Sequence, residues 1–127
     1  MVDEQDLYIL VVEDEPDGQE VITGILSYHA IRSNIVGSAE EALSSLKDNQ
    51  YDGAIIDLFL PGMDGLRLLK EIRYNPDTLS LPCVAITAYH TSAVRQEAIK
   101  SGFDDYFPKP LDERKFATTV TKLLTNI

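Results

Sequence analysis

Five residues of this chain could do chemistry together: Glu13, Asp14, Asp57, Thr87 and Lys109. Asp57 demands explanation first, because it interrupts the apolar stretch AIIDLFLPGMDGLRLL at residues 54–69. Burying a lone carboxylate costs several kcal/mol unless it is paired or ligates a metal. Clustered carboxylates raise one another's pKa until a cation neutralises them. A hard divalent ion, Mg²⁺ in particular, takes such oxygen ligands and keeps waters for phosphate oxygens. A carboxylate is also the nucleophile that forms aspartyl-phosphate intermediates. Phosphoryl transfer then needs positive charge and donors on the equatorial oxygens, which a metal, a lysine and a hydroxyl can supply. Asp57 fits the nucleophile best, since apolar strand residues lead into it and fix its direction.

Each of the five has an ordinary reading as a loop acid, a strand-end threonine or a surface lysine. The elements that must position them argue otherwise. Leu7–Val12 (LYILVV) is a continuous apolar run that reads as a strand buried on both faces. EDEPDG follows, then a helical period with Val21, Ile22, Ile25 and Leu26 on one stripe. Arg32–Val36 is a more polar strand, suited to a sheet edge. Ser38-Ala-Glu-Glu41 has capping-box spacing and opens a helix that turns Ala42, Leu43 and Leu46 inward. Ala54–Asp57 is another buried strand. Asp64 or Gly65 starts a helix with Leu66, Leu69 and Ile72 inward, stopped near Tyr74 by Asn75-Pro76-Asp77.

Cys83–Thr87 is a further buried strand. The helix over 92–101 carries a thin stripe of Ala93, Val94, Ala98 and Ile99, and Gly102 can end it. Asp105–Phe107 is a last short strand before Pro108-Lys109-Pro110, and Phe116, Val120, Leu123 and Leu124 mark the final helix. Buried strands alternating with amphipathic helices predict an α/β fold, a doubly wound five-stranded parallel sheet with helices on both faces. In such folds chemistry collects beyond the carboxyl ends of the strands. Glu13, Asp14, Asp57, Thr87 and Lys109 all fall at those ends.

Composition narrows the function. Eleven Lys and Arg against twenty-one Asp and Glu give a net charge of −10, so direct nucleic-acid binding is not expected. A single cysteine, Cys83, excludes an internal disulfide and a cysteine metal cluster, and reads as a small buried hydrophobe. His29 and His90 lack ligand spacing, and His90 reads as an exposed helix-start residue. MVDEQD is acidic and no run approaches a membrane span, so a soluble cytoplasmic protein without membrane contact is expected.

VVEDEP, IIDLFLPGMDGLRLL, AITAY and DDYFPKP together closely resemble the receiver domain of two-component response regulators, in order and spacing along residues 1–127. The resemblance implies a flavodoxin-like sheet of order 2-1-3-4-5. It implies that Asp57 accepts a phosphoryl group from a sensor histidine kinase or histidine phosphotransfer protein. Asp14 and Asp57 would ligate Mg²⁺ (or Mn²⁺), with Glu13 acting through water and the Phe59 backbone carbonyl as third protein ligand. Thr87 and Lys109 would contact the phosphoryl oxygens, and Lys109–Pro110 would be cis. Thr87 and Tyr106 would form the switch, Tyr106 rotating inward as Thr87 is drawn toward the phosphoryl group. Phe59 and Tyr89 stand where the family tunes phosphoryl lifetime. Neither carries a carboxylate or amide to position water, so slow self-dephosphorylation is expected. Phe103 stands where the family often has alanine.

The resemblance also implies a downstream effector protein and a monomer or phosphorylation-dependent homodimer. A rival reading is a phosphorylation-independent interaction module of the same fold. A flavin-binding domain would want a phosphate-cradling loop where EDEPDG offers acids. A haloacid-dehalogenase-type phosphatase would want an aspartate at Phe59. With the last helix running to the end of the sequence, the expectation is a stand-alone regulator or a receiver cut from a larger protein.

Overall fold

The computed structural model describes residues 6–125. Five strands and five helices alternate: β1 (Tyr8–Val12), α1 (Pro16–Tyr28), β2 (Arg32–Val36), α2 (Ala39–Asp48), β3 (Gly53–Asp57), α3 (Gly65–Tyr74), β4 (Cys83–Thr87), α4 (Ser92–Ser101), β5 (Asp105–Pro108) and α5 (Glu113–Thr125). The strands form one parallel sheet of order β2-β1-β3-β4-β5, as expected for a doubly wound fold. The polar strand β2 lies at an edge, and the apolar strands β1, β3 and β4 lie inside.

Alternate strand residues point to opposite faces, which makes two cores. On one face Leu10, Val12, Ile56 and Ala85 pack with Leu68, Leu69 and Ile72 of α3, Ala42 of α2 and Ala98 of α4. On the other, Ile9, Val11, Ile55 and Ile86 pack with Ile22, Ile25 and Leu26 of α1 and Phe116 and Val120 of α5. Burial on both faces is why these strands read as unbroken apolar runs.

Several details depart from the sequence reading. Helix α1 begins at Pro16, whose missing N–H suits a first helical position, and Val21 is exposed. In α3 the buried stripe is Gly65, Leu68, Leu69 and Ile72, an i, i+3, i+4, i+7 row, while Leu66 is only half-buried. Gly65 supplies no apolar signal, so the phase reads one residue off. In α4 only Ala98 is buried; Ala93 and Ile99 are exposed. Ser38 caps α2 through the Glu41 N–H, but the Glu41 carboxylate accepts from Gly37 N–H rather than from Ser38. Gly102 ends α4 in the left-handed conformation at φ 117°, where a side chain would be strained.

Candidate functional site

At the carboxyl edge of the sheet, β1 delivers Glu13 and Asp14, and β3 ends on Asp57. Carboxylate oxygens of these three lie within 4.8 Å of one another. Glu13 and Asp57 are buried and Asp14 is partly exposed. Lys109 reaches in from beyond β5. Its Nζ donates to Asp57 Oδ2 at 2.9 Å and also to Glu13 Oε1. The other Asp57 oxygen, Oδ1, accepts the Phe59 N–H at 2.9 Å, which fixes the carboxylate's rotation.

Thr87, fully buried at the end of β4, accepts the Tyr89 N–H on Oγ1 at 3.0 Å. Its hydroxyl proton remains available to an incoming acceptor. The Lys109 N–H donates to the Thr87 carbonyl at 2.8 Å, and Lys109–Pro110 is cis. Thus Glu13, Asp14, Asp57, Thr87 and Lys109 share one rim of the sheet. Phe59 and Tyr89 stand beside it as an exposed edge-to-face pair, ring centroids 5.2 Å apart.

The electrostatics are those of an under-neutralised acid pocket. Three carboxylates face one ammonium. Burial pushes the Glu13 carboxyl above its ordinary range and the Asp57 charge adds to this, while Lys109 opposes it. Burial by itself would lower the Lys109 pKa, but its bonds to Asp57 and Glu13 outweigh this and raise it. An all-oxygen, carboxylate-rich set with residual negative charge suits a hard divalent cation such as Mg²⁺ and not a thiophilic metal.

Two glycines close around the site; the sequence reading took Gly65 only as a possible helix start and gave Gly18 no role. A Cβ on Gly65 would sit 2.8 Å from Leu58 Cα and closer still to the Asp57 carbonyl oxygen. Gly65 therefore lets α3 start directly against the strand end. A Cβ on Gly18 would sit 2.7 Å from Glu13 Cδ. The Gln19 side chain also donates to the Glu13 carbonyl at 2.7 Å. Nothing in local sequence marks these approaches, because they join separate elements.

The sequence model of the response regulator receiver domain matches residues 9–121. The chain belongs to the response regulator receiver family. It is 38 % identical over 82 % of its length to an uncharacterized 14.6 kDa protein of Leptolyngbya boryana, covering 79 % of that protein. It is 33 % identical over 93 % of its length to the transcriptional regulatory protein ZraR of Klebsiella oxytoca, of which it spans only 26 %. Its fold superposes at a TM-score of 0.86, with 28 % identity, on the receiver domain of sensor histidine kinase PA1611 from Pseudomonas aeruginosa. The two chains are covered to 94 and 98 %, and that domain has a magnesium ion coordinated in its active-site cleft. This receiver is thus a module of two-component signalling. Among its described residues no helix is long and apolar enough to cross a membrane.

Tyr106 is already inside in this receiver, 2 % exposed and packed into the core face that holds α3 and α4. Phe103 is likewise buried in that core. His90 is exposed as a residue, yet its Nδ1 lies 2.9 Å from the Tyr106 hydroxyl. Thr91, not His90, caps α4. His90 is therefore more than a helix-start residue, a contact that a separation of sixteen residues hides from sequence.

Proposed function

We propose that this receiver is a phosphoaccepting switch in which Asp57 takes a phosphoryl group from a phosphohistidine of a sensor histidine kinase or phosphotransfer protein. The observation that carries this reading is the Asp57 carboxylate itself. It is buried, fixed by the Phe59 N–H, held 2.9 Å from the Lys109 ammonium, and grouped with two more acids.

In the transfer a carboxylate oxygen of Asp57 attacks phosphorus. The P–N bond of the donor breaks, and its electron pair returns to the imidazole nitrogen. Lys109 places a positive charge beside the acceptor oxygen, and Thr87 offers a hydroxyl proton to the arriving phosphoryl oxygens. Glu13, Asp14, Asp57 and the Phe59 carbonyl would hold Mg²⁺, which when bound neutralises the acids and the phosphoryl charge. The product is an acyl phosphate that the receiver later hydrolyses.

The added charge draws Thr87 toward the phosphoryl group, with Tyr106 held in its inward position, and biases α4, β5 and α5 toward an effector-binding arrangement. Helix α4 buries only Ala98 and so shifts at low cost.

Incubation with acetyl phosphate and Mg²⁺, followed by intact mass measurement, tests the chemistry. One phosphoryl adduct is expected on the native protein and none on Asp57→Ala. An adduct that persists in the variant, or never forms on the native chain, overturns the reading. Amide hydrogen exchange over 92–125 should change on phosphorylation; unchanged exchange would remove the proposed output surface.

A further inference from the structure

The position of Tyr106 is set by a residue outside the acid pocket. Its ring is buried, and among the described residues its hydroxyl has one hydrogen-bond partner, His90 Nδ1, at 2.9 Å. The two rings also touch, with centroids 5.5 Å apart and planes at 50°. On the α4 side the Arg95 guanidinium lies over the tyrosine ring, 5.7 Å from its centroid. His90 immediately precedes the Thr91 cap and Arg95 lies in the first turns of α4, so both contacts come from the α4 segment. Otherwise that helix meets the core through small groups, the buried Ala98 and the half-buried Val94. A hydroxyl that loses its only partner inside a protein costs more than a typical hydrogen bond gains.

We propose that His90 is a positioning residue for the switch: its Nδ1 accepts the Tyr106 hydroxyl proton and latches the ring inward, tying α4 to β5 before any phosphoryl group arrives. The inference deepens the proposed function and rests on it. In this arrangement Nε2 carries the imidazole proton and Nδ1 is the acceptor. The latch biases the unphosphorylated receiver toward the inward state. By linkage, that bias favours phosphorylation at Asp57.

The δ1 position can be tested by its chemistry. An asparagine offers an acceptor at the same distance from the backbone as Nδ1, whereas glutamine places its amide nearer Nε2. His90→Asn should therefore keep the latch, and His90→Gln and His90→Ala should lose it. The first readout is NMR of the unphosphorylated protein. The native chain should show a slowly exchanging Tyr106 hydroxyl proton with a nuclear Overhauser contact to the His90 ring, and a ¹⁵N signature of unprotonated Nδ1. The hydroxyl signal should survive in His90→Asn and vanish in the other two.

The second readout is the rate of phosphorylation by acetyl phosphate with Mg²⁺. It should fall about two- to tenfold in His90→Ala and His90→Gln, the range expected for one lost hydrogen bond. It should stay within about twofold of native in His90→Asn, on the same reasoning. A Tyr106 hydroxyl signal unchanged in His90→Ala, or rescue by glutamine and not by asparagine, overturns the latch. A latch signal that behaves as expected in a native protein that never accepts a phosphoryl group would overturn the phosphoacceptor reading and leave the latch standing.

Discussion

The Lys109 ammonium bridges Asp57 and Glu13, contacting Asp57 Oδ2 at 2.9 Å while bonding the fully buried Glu13 carboxylate. One cation thus serves both the proposed acceptor and the acid beneath it. Removing it leaves Glu13 buried without a cation, with a long contact from the Glu15 N–H to Oε2 at 3.5 Å. Lys109→Met should cost about 3 kcal/mol at neutral pH in metal-free buffer, as expected for breaking a buried pair. Burial already raises the Glu13 pKa, and the substitution removes the group that opposes this. A raised folded-state pKa gives stability that is present at low pH and lost as pH rises. The deficit should therefore shrink as the buffer is acidified, because Glu13 can then take a proton. Urea denaturation of both proteins across that range is the measurement, and a deficit that grows on acidification would contradict the assignment.

The same acid pocket predicts a metal response. A cation that binds only the folded chain stabilises it by about 2.7 kcal/mol at a hundred times its Kd. Mg²⁺ should raise the thermal midpoint of the native receiver, and a chelator should reverse the gain. Asp14 is the partly exposed member of the cluster, and among the described residues its side chain makes no hydrogen bond. Asp14→Ala should therefore leave the apo midpoint nearly unchanged while abolishing the Mg²⁺ response. An undiminished response in that variant would place the cation elsewhere.

Gly65 offers a test of how the site is assembled. A methyl group there meets backbone atoms of Asp57 and Leu58 rather than flexible side chains, so α3 must move away from the strand end. Gly65→Ala should destabilise the fold by about 1–3 kcal/mol, the usual range for overpacking. It should also slow phosphorylation, because the Asp57 carbonyl and the chain that fixes its side chain are displaced together. Gly24, where an added Cβ would meet nothing within 4 Å among the described residues outside its own helical turn, is the internal control. Gly24→Ala should be neutral or slightly stabilising in denaturation.

How much of this could be read from the chain depends on where each signal lives. The sheet was legible because strands buried on both faces are apolar throughout, as in CVAIT, and cannot be confused with surface segments. The rim residues were legible because parallel strands all finish at one edge, so Asp57 and Thr87 are brought close by topology alone. Packing phase was less legible. Three leucines at 66, 68 and 69 cannot share one face, and only the contact with the sheet selects Leu68 and Leu69. Contacts between distant elements left no trace at all. Gly18 beneath Glu13 and His90 on Tyr106 are pairings of residues whose local sequence suggests nothing beyond helix ends.

Cys83 gives a prediction with the pH sign fixed. Burial pushes its thiol up to about 12, and the S–H donates to the Leu81 carbonyl at 3.3 Å. Thiolate is the reactive form, so iodoacetamide or a disulfide reagent should leave the folded protein unmodified at pH 8 while labelling it fully in denaturant. An unfolded thiol titrates near about 8.5. A pKa raised in the folded state contributes stability that is complete below the unfolded value and lost as pH rises through the window up to about 12. Cys83→Ala should remove that alkaline contribution at the cost of a small core cavity. Fast labelling of the native protein at pH 8 would show that β4 opens far more often than its burial implies.

The exposed pair of Phe59 and Tyr89 bears on the lifetime of the proposed acyl phosphate. The rings meet edge to face at 5.2 Å, one from the segment after β3 and one from the segment after β4, at the same rim of the sheet as Asp57. Hydrolysis needs a water oriented for in-line attack, and the Phe59 ring and the Tyr89 phenol supply neither the carboxylate nor the amide that would position one. Tyr89→Glu introduces a carboxylate at that place and breaks the ring contact. The phosphorylated lifetime should shorten by about tenfold, within the range of a positioned acid–base group. Tyr89→Phe keeps the apolar wall and should leave the lifetime within about twofold of native. Decay of the phosphoryl adduct followed by intact mass distinguishes the two, and a Tyr89→Glu protein that decays no faster would show that the pair does not govern water access.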